Sequence, residues 1–189
     1  MKLLGVILAG GKSTRMKQDK ALLKLQSESL LHQQFVLLET LLGEGNVLVS
    51  GDRPDFPHIK DLSPGLGPIE GLRAICHHLV NQGYERSLLV IPVDMPFMSI
   101  EGLRLLTTHK SESDVSTFWH QQLPALFRDV KRTINEIESL KKEICINSIR
   151  DYSFCELFKR LKVDHVVMKD SKNFFTNLNS PEDLHAALS

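Results

Sequence analysis

Residues 3–20 read Leu-Leu-Gly-Val-Ile-Leu-Ala-Gly-Gly-Lys-Ser-Thr-Arg-Met-Lys-Gln-Asp-Lys. Leu3–Leu8 is a short apolar run closed by a turn signal, the pattern of a buried strand. It opens directly into Gly10-Gly11, and Lys12, Arg15 and Lys20 follow, with Asp19 before the last. Paired glycines let backbone N–H groups approach an anion closely, and the cations neutralise its charge. The stretch therefore predicts a phosphate loop after the first strand of an α/β sheet. It is not a Walker A loop, because that motif needs a glycine five positions before Gly11, where Val6 stands, and G-x-G-x-x-G is also absent. A P-loop kinase is disfavoured on that ground. The bland alternative is a glycine-rich strand–helix turn with solvated charges, against which Arg15 and Asp19-Lys20 weigh.

Moving outward, the 189 residues suit one domain over residues 1–189 with a substantial core. Lys and Arg total 23, as do Asp and Glu, so the chain lacks the basic stripe of a duplex nucleic acid binder. The cysteines, Cys76, Cys145 and Cys155, are odd in number and widely spaced, which suggests neither a disulfide framework nor a zinc site and fits a reducing cytoplasm. The first apolar run has no signal-peptide cleavage pattern and is too short to span a bilayer.

Strand and helix patterns alternate along the rest. Leu30 to Leu42 recurs at helical spacing and stops at Gly43 and Gly45. Strands are expected at Asn46–Ser50, around Ile59 up to Asp61, at Ser87–Asp94 and at Val163–Met168. Helices are expected at Ile69–Leu79, at Ile100–His109 with Ser99 as N-cap, at Thr133–Glu143 and at Ile149–Leu161. Asp114–Phe118 and Leu123–Arg128 read as two strands around a polar turn, Pro124 marking a strand start or a sheet edge. Ser180, Pro181 and Asp183 form a helix start. This alternation predicts an α/β fold with a mostly parallel, mixed sheet and helices on both faces.

Three further stretches carry chemistry. Asp61–Leu72 holds two prolines and three glycines, a tightly restricted loop. Asp94 ends the apolar strand Ser87–Val93, and a carboxylate at the carboxyl end of a parallel strand is placed to hold Mg²⁺ beside phosphates. Asn177 and Asn179 alternate along an extended segment, so one can face a site while the other braces the turn. His77-His78 has no i,i+4 partner and reads as surface or packing.

Together these motifs resemble the nucleotidyltransferases that build sugar nucleotides, and within them the molybdenum cofactor guanylyltransferases. The matching residues are Leu8-Ala-Gly-Gly-x-Ser-x-Arg-Met16 with Asp19-Lys20, the Asp61–Leu72 loop, Asp94-Met-Pro-Phe97, Leu123-Pro-Ala-Leu-Phe127 and Phe175-x-Asn-x-Asn-Ser-Pro-Glu-Asp-Leu184. The resemblance spans nearly the whole chain and implies a three-layer α/β/α Rossmann-like nucleotidyltransferase fold. It implies transfer of GMP from GTP to the terminal phosphate of molybdopterin, with pyrophosphate released and Mg²⁺ as cofactor. Arg15, Lys20 and Asp94 would then be catalytic. Leu8, Ala9, Gly10, Gly11, Ser13, Lys20, Asp61 and Asp94 would bind nucleotide. Asp94, with Asn179 as a further candidate, would hold metal, and Asn177 and Asn179 would meet the second substrate. Trp119, His120 and Arg128 are further candidates on the acceptor side, an edge hairpin being the alternative.

Relatives of cytidylyl type carry Ala where Gly10 stands, so Gly10 is expected to let the larger guanine lie close. Two residues depart from the family pattern: Lys17 replaces a glycine, and Ser50 replaces an asparagine near the nucleotide. Partners would be GTP and molybdopterin, with transient contacts to cofactor-biosynthesis proteins or molybdoenzymes, and neither nucleic acid nor membrane. Two other readings remain: cytidylyl or sugar-nucleotide transfer, and a non-catalytic nucleotide-binding module. The second has little reason to keep both Asp94 and Lys20.

Overall fold

The computed structural model describes residues 2–10, 19–25, 27–147, 152–169, 173–178 and 183. In chain order the elements are β1 (Leu3–Leu8), a 3-10 turn (Lys20–Leu22), β2 (Lys24–Leu25), β3 (Glu28–Ser29), α1 (Leu30–Leu42), β4 (Val47–Ser50), β5 (His58–Ile59), α2 (Pro68–Asn81), β6 (Ser87–Pro92), α3 (Ile100–Thr108), β7 (Val115–Phe118), β8 (Ala125–Phe127), α4 (Val130–Asn147), α5 (Phe154–Phe158) and β9 (Val163–Val166). Seven strands form one sheet in the order β5-β4-β1-β6-β8-β7-β9. β8 runs antiparallel to both neighbours, and the other pairings are parallel.

Successive side chains of a strand point to opposite faces, and β1 shows the consequence. Leu4, Val6 and Leu8 pack with Leu72, Ile75 and Leu79 of α2 and Ile137 and Leu140 of α4. Ile7 packs on the other side with Leu31 and Leu38 of α1 and Leu103 and Leu106 of α3. The two cores make three layers, with α1 and α3 over one face and α2, α4 and α5 over the other. Serine hydroxyls cap α1, α3 and α5, because a side-chain oxygen satisfies an otherwise orphaned N–H. Ser29 accepts from the His32 N–H and Ser99 from the Gly102 N–H.

Some elements differ from the sequence expectation. α4 begins at Val130, because the Asp129 carboxylate accepts from the Arg132 N–H at 2.9 Å and caps the helix ahead of Thr133. α5 covers only Phe154–Phe158, since Ser153 is extended (φ −140°, ψ 163°) and caps it. β5 ends at Ile59, two residues before Asp61. The β7–β8 hairpin is not at an edge, because β9 pairs outside β7. Pro124 precedes β8 and so removes no ladder donor. The expected helix start at Ser180 and Pro181 lies outside the described residues.

This topology locates a crevice. The chain first adds β4 and β5 on one side of β1, then returns to lay β6 on the other. In open α/β sheets, ligands bind beyond the carboxyl ends of the strands where the order reverses. Those ends are Leu8 and Pro92, paired with each other in register. No helix among the described residues is long and apolar enough to cross a membrane.

Candidate active site

A cleft of about 500 Å³ lies beyond β1 and β4, lined by Ala9, Gly10, Arg53, Lys60, Asp61 and Gly65 among others. Its floor is a close approach of two backbones. Gly51 has φ +109°, and a Cβ there would stand 3.2 Å from Gly10 Cα. Gly10 in turn faces Asp61: a Cβ on it would stand 2.6 Å from Asp61 Oδ2. Ser50 is buried, and its hydroxyl donates to Asp61 Oδ1 at 3.3 Å. Burial pushes the Asp61 carboxyl above its ordinary pKa, the Ser50 hydrogen bond opposes this, and the Glu70 charge adds to the rise.

Beside the cleft a cation and a carboxylate meet. Lys20 Nζ donates to Asp94 Oδ2 at 2.9 Å, both side chains 21% exposed. Lys20 opens the 3-10 turn, which is capped by Asp19 accepting from the Ala21 N–H at 3.1 Å. Asp94 lies two residues past β6. The buried Gln34 of α1 holds the corner after it by donating to the Met95 carbonyl at 3.0 Å. The Leu178 N–H donates to the Asp94 carbonyl at 2.9 Å, which pins the Asn173–Leu178 segment onto this corner.

Arg53 joins the two halves. One guanidinium nitrogen donates to the Ala9 carbonyl at 2.8 Å and to Asp19 Oδ1 at 2.9 Å, and the other donates to Asp19 Oδ2. Ala9 and Asp19 flank the glycine-rich loop, so Arg53 staples the two ends of that loop together. Its Nε–H is buried without a partner among the described residues.

Of the residues singled out in the sequence, Leu8, Ala9, Gly10, Lys20, Asp61 and Asp94 gather at the carboxyl ends of β1 and β6. Gly11, Ser13, Arg15, Lys17 and Asn179 lie outside the described residues. Asn177 is exposed, next to the pinned Leu178. Ser50 does not face the cleft as a free hydroxyl but holds Asp61. Arg128 lies at the opposite end of the sheet, since β8 is antiparallel and Phe127 is level with Leu88. Its guanidinium donates to Ser113 Oγ at 3.1 Å and to the His109 carbonyl at 3.0 Å, so it braces that edge and does not line the cleft. Arg53 and Gln34 were missed in the sequence. Arg53 carried a faint signal as a cation just after a strand-ending glycine, and Gln34 only as a polar residue on an apolar helix stripe.

Asp94 supplies one partly exposed hard oxygen donor, and among the described residues no three His, Cys, Asp or Glu side chains gather to hold a metal. Magnesium is commonly bound by one or two carboxylates together with substrate phosphates, so this donor set fits a magnesium ion shared with a triphosphate.

A switch-point crevice with a glycine-rich turn, a lysine and a strand-end carboxylate is the arrangement of a nucleotide-handling α/β protein. Residues 5–157 match the MobA-like NTP transferase domain, and the chain belongs to that family. It is 35% identical over 179 residues to the molybdenum cofactor guanylyltransferase of Xanthomonas euvesicatoria pv. vesicatoria, covering 94% of this chain and 90% of that one. Its fold resembles that of molybdopterin-guanine dinucleotide biosynthesis protein A from Archaeoglobus fulgidus, with a TM-score of 0.71, 22% identity and coverage of 98% and 96% of the two chains. It also resembles 2-C-methyl-D-erythritol 4-phosphate cytidylyltransferase from Thermus thermophilus, with a TM-score of 0.63, 16% identity and coverage of 100% and 98%. Backbone likeness thus extends to a structure named for cytidylyl transfer.

Proposed function

We propose that the protein transfers GMP from GTP to the terminal phosphate of molybdopterin, giving the guanine dinucleotide cofactor and pyrophosphate. Residues 1–189 act as one domain in the cytoplasm, where free thiols such as the buried Cys76 and exposed Cys155 persist. The observation that carries the reading is the meeting of the Gly10–Asp61 cleft with the Lys20–Asp94 pair at one switch point, in a chain 35% identical to a guanylyltransferase.

The guanine enters the cleft beside Gly10, where the Asp61 carboxylate presents two acceptor oxygens. Guanine carries adjacent donors at N1 and the exocyclic amine. Cytosine offers an acceptor at N3 and leaves one oxygen unpaired, which disfavours it. The triphosphate runs from there along the glycine-rich loop, with Arg15, Gly11 and Ser13 as its further contacts, towards Lys20 and Asp94. An oxygen of the acceptor phosphate attacks the α-phosphorus in line. The bond from that phosphorus to its bridging oxygen breaks, and pyrophosphate leaves with the electron pair.

Charge grows on the α-phosphate oxygens and on the leaving group, so rate comes from position and electrostatics, with no covalent enzyme intermediate. Lys20 changes partner from Asp94 to these oxygens. A magnesium ion held by Asp94 and the phosphates supplies charge neutralisation when bound. Asn177, on the segment pinned to Asp94, meets the acceptor, and Asn179 is proposed as a second contact to it.

The test is Asp94→Ala. The side chain lies outside both cores, so the variant folds, and turnover falls by a factor on the order of a hundred or more. A folded Asp94→Ala enzyme with near-normal turnover at ordinary magnesium removes Asp94 from the mechanism.

A further inference from the structure

The loop that begins at Asp61 has little backbone support. Among the described residues no backbone–backbone hydrogen bond involves residues 61–66. Yet Asp61, Pro64 and Gly65 all line the cleft. Side chains hold the loop instead. The Ser50 hydroxyl donates to Asp61 Oδ1 at 3.3 Å, and Lys141 of α4 donates to Ser63 Oγ at 3.2 Å. Both holders are anchored on the first turn of α2. Ser50 packs against it so closely that a Cβ on Gly71 would stand 2.0 Å from its Oγ. The Lys141 ammonium is shared with Glu70, whose two carboxylate oxygens lie 3.4 and 3.3 Å from Nζ.

Glu70 is wholly buried. The Tyr152 hydroxyl donates to it at 3.0 Å and Arg73 at 2.8 Å. Arg73 also donates to Glu138 Oε1 of α4 at 2.6 Å, and His77 Nε2 lies 2.6 Å from the same oxygen. Leu72 and Ile75 of α2 already share an apolar core with Ile137 and Leu140 of α4. Replacing a buried ion-pair cluster by apolar side chains of similar volume is often neutral or stabilising. The fold alone therefore does not call for a carboxylate at this place. What the cluster adds is a fixed ammonium beside Ser63, two residues beyond Asp61.

We propose that Lys141 and Glu70 are positioning residues for base selection: Glu70 fixes the Lys141 ammonium, which ties Ser63, and with it the guanine-reading carboxylate of Asp61, to α2 and α4. This deepens the guanylyl-transfer reading above and rests on it. Neither side chain lines the cleft, so both act through the loop.

The arrangement has an electrostatic signature. The charged and titratable groups around Asp61 are Asp19, Asp52, Arg53 and Lys60 along the cleft, His58 beside Asp52, Glu70 and Arg73 on α2 and Lys141 on α4. The Glu70 charge disfavours ionised Asp61, the form that accepts from guanine. Removing that charge lets the ionised form persist to lower pH. Removing the Lys141 charge does the opposite.

The test titrates GTP and CTP calorimetrically into the full chain, with magnesium, from neutral to acid pH. Hydrogen exchange of the nucleotide-free protein runs beside it. Lys141→Met keeps the aliphatic stem, and GTP affinity falls about fivefold or more, the scale of one or two lost hydrogen bonds. The GTP/CTP affinity ratio falls with it, exchange over residues 61–67 quickens, and Lys141→Arg restores most of the affinity. Glu70→Gln, close in shape, is the second variant. The acid limb of GTP binding moves to lower pH in Glu70→Gln and to higher pH in Lys141→Met. A merely structural role weakens GTP and CTP alike and leaves the limb in place. Unaltered GTP affinity or unaltered loop exchange in a folded Lys141→Met protein overturns the proposal, as do coincident acid limbs in wild type and both variants. Failure of GTP to bind the wild type would instead strike the guanylyl-transfer reading, and exchange over residues 61–67 would still decide the tether.

Discussion

Replacing Arg53 with Met removes the staple across the glycine-rich loop while keeping a side chain of similar length. Three hydrogen bonds are lost, all involving a charged group, and the Arg53 side chain is only 15% exposed. Such bonds contribute about 1.5–3 kcal/mol each when well shielded, but Asp19 is 34% exposed, so solvent recovers much of its part. A total of about 2–3 kcal/mol follows, and nearly all of it falls on holding Ala9 beside Asp19, since Arg53 belongs to neither core. That approach of Ala9 and Asp19 must then be restored when GTP binds, so affinity falls roughly 30- to 100-fold. Turnover at saturating GTP changes far less, because Asp19 still caps the Lys20 turn. Arg53→Lys restores only part of the affinity, since an ammonium cannot present a planar fork to Asp19 and also reach Ala9. The assay is calorimetric GTP titration beside steady-state turnover. Undiminished GTP affinity in a folded Arg53→Met protein refutes the staple.

Gly10→Ala drives a Cβ to 2.6 Å from Asp61 Oδ2 and displaces the carboxylate, so GTP weakens about tenfold or more and the GTP/CTP ratio of specificity constants falls. An unchanged ratio shows that guanine is not read there. Lys20→Ala lowers turnover more than it weakens GTP, because its charge counts most as the α-phosphate charge grows, and a change confined to the GTP dissociation constant contradicts this. Asp61 has a raised pKa, so its ionised form opposes folding, and stability is lost as pH rises from the ordinary carboxylate range through the raised value. Asp61→Asn therefore melts no lower than wild type at neutral pH and shows a flatter Tm–pH profile, while losing preference for GTP over CTP. A markedly lower melting temperature would show that the carboxylate holds the fold.

The strands and helices were legible because their periodicity is local. Leu3–Leu8, the stripe from Leu30 to Leu42 and the Ser99 cap each declare themselves within a few residues. Asp94 and Lys20 stood out as candidates, one by its place at a strand end and the other by its place after the glycines. Their 2.9 Å meeting did not, because it joins residues 74 apart in sequence. Arg53 stayed hidden for the same reason: its partners, Ala9 and Asp19, lie across the sheet edge. Ser50 looked like a shortened nucleotide contact, and only the packing against Asp61 shows where its hydroxyl goes. Arg128 was misread because the direction of β8 decides which end of the sheet it reaches, and alternation alone does not give direction.

The most direct measurement incubates the purified chain with molybdopterin, magnesium and each of GTP, CTP, ATP and UTP, all labelled at the α-phosphate. Labelled dinucleotide is then separated and counted, and free pyrophosphate is measured with a coupled pyrophosphatase assay. The expected result is equimolar guanine dinucleotide and pyrophosphate from GTP, dependent on both pterin and magnesium, with little product from CTP. Preferential product from CTP, or GTP binding with no transfer to the pterin, contradicts it.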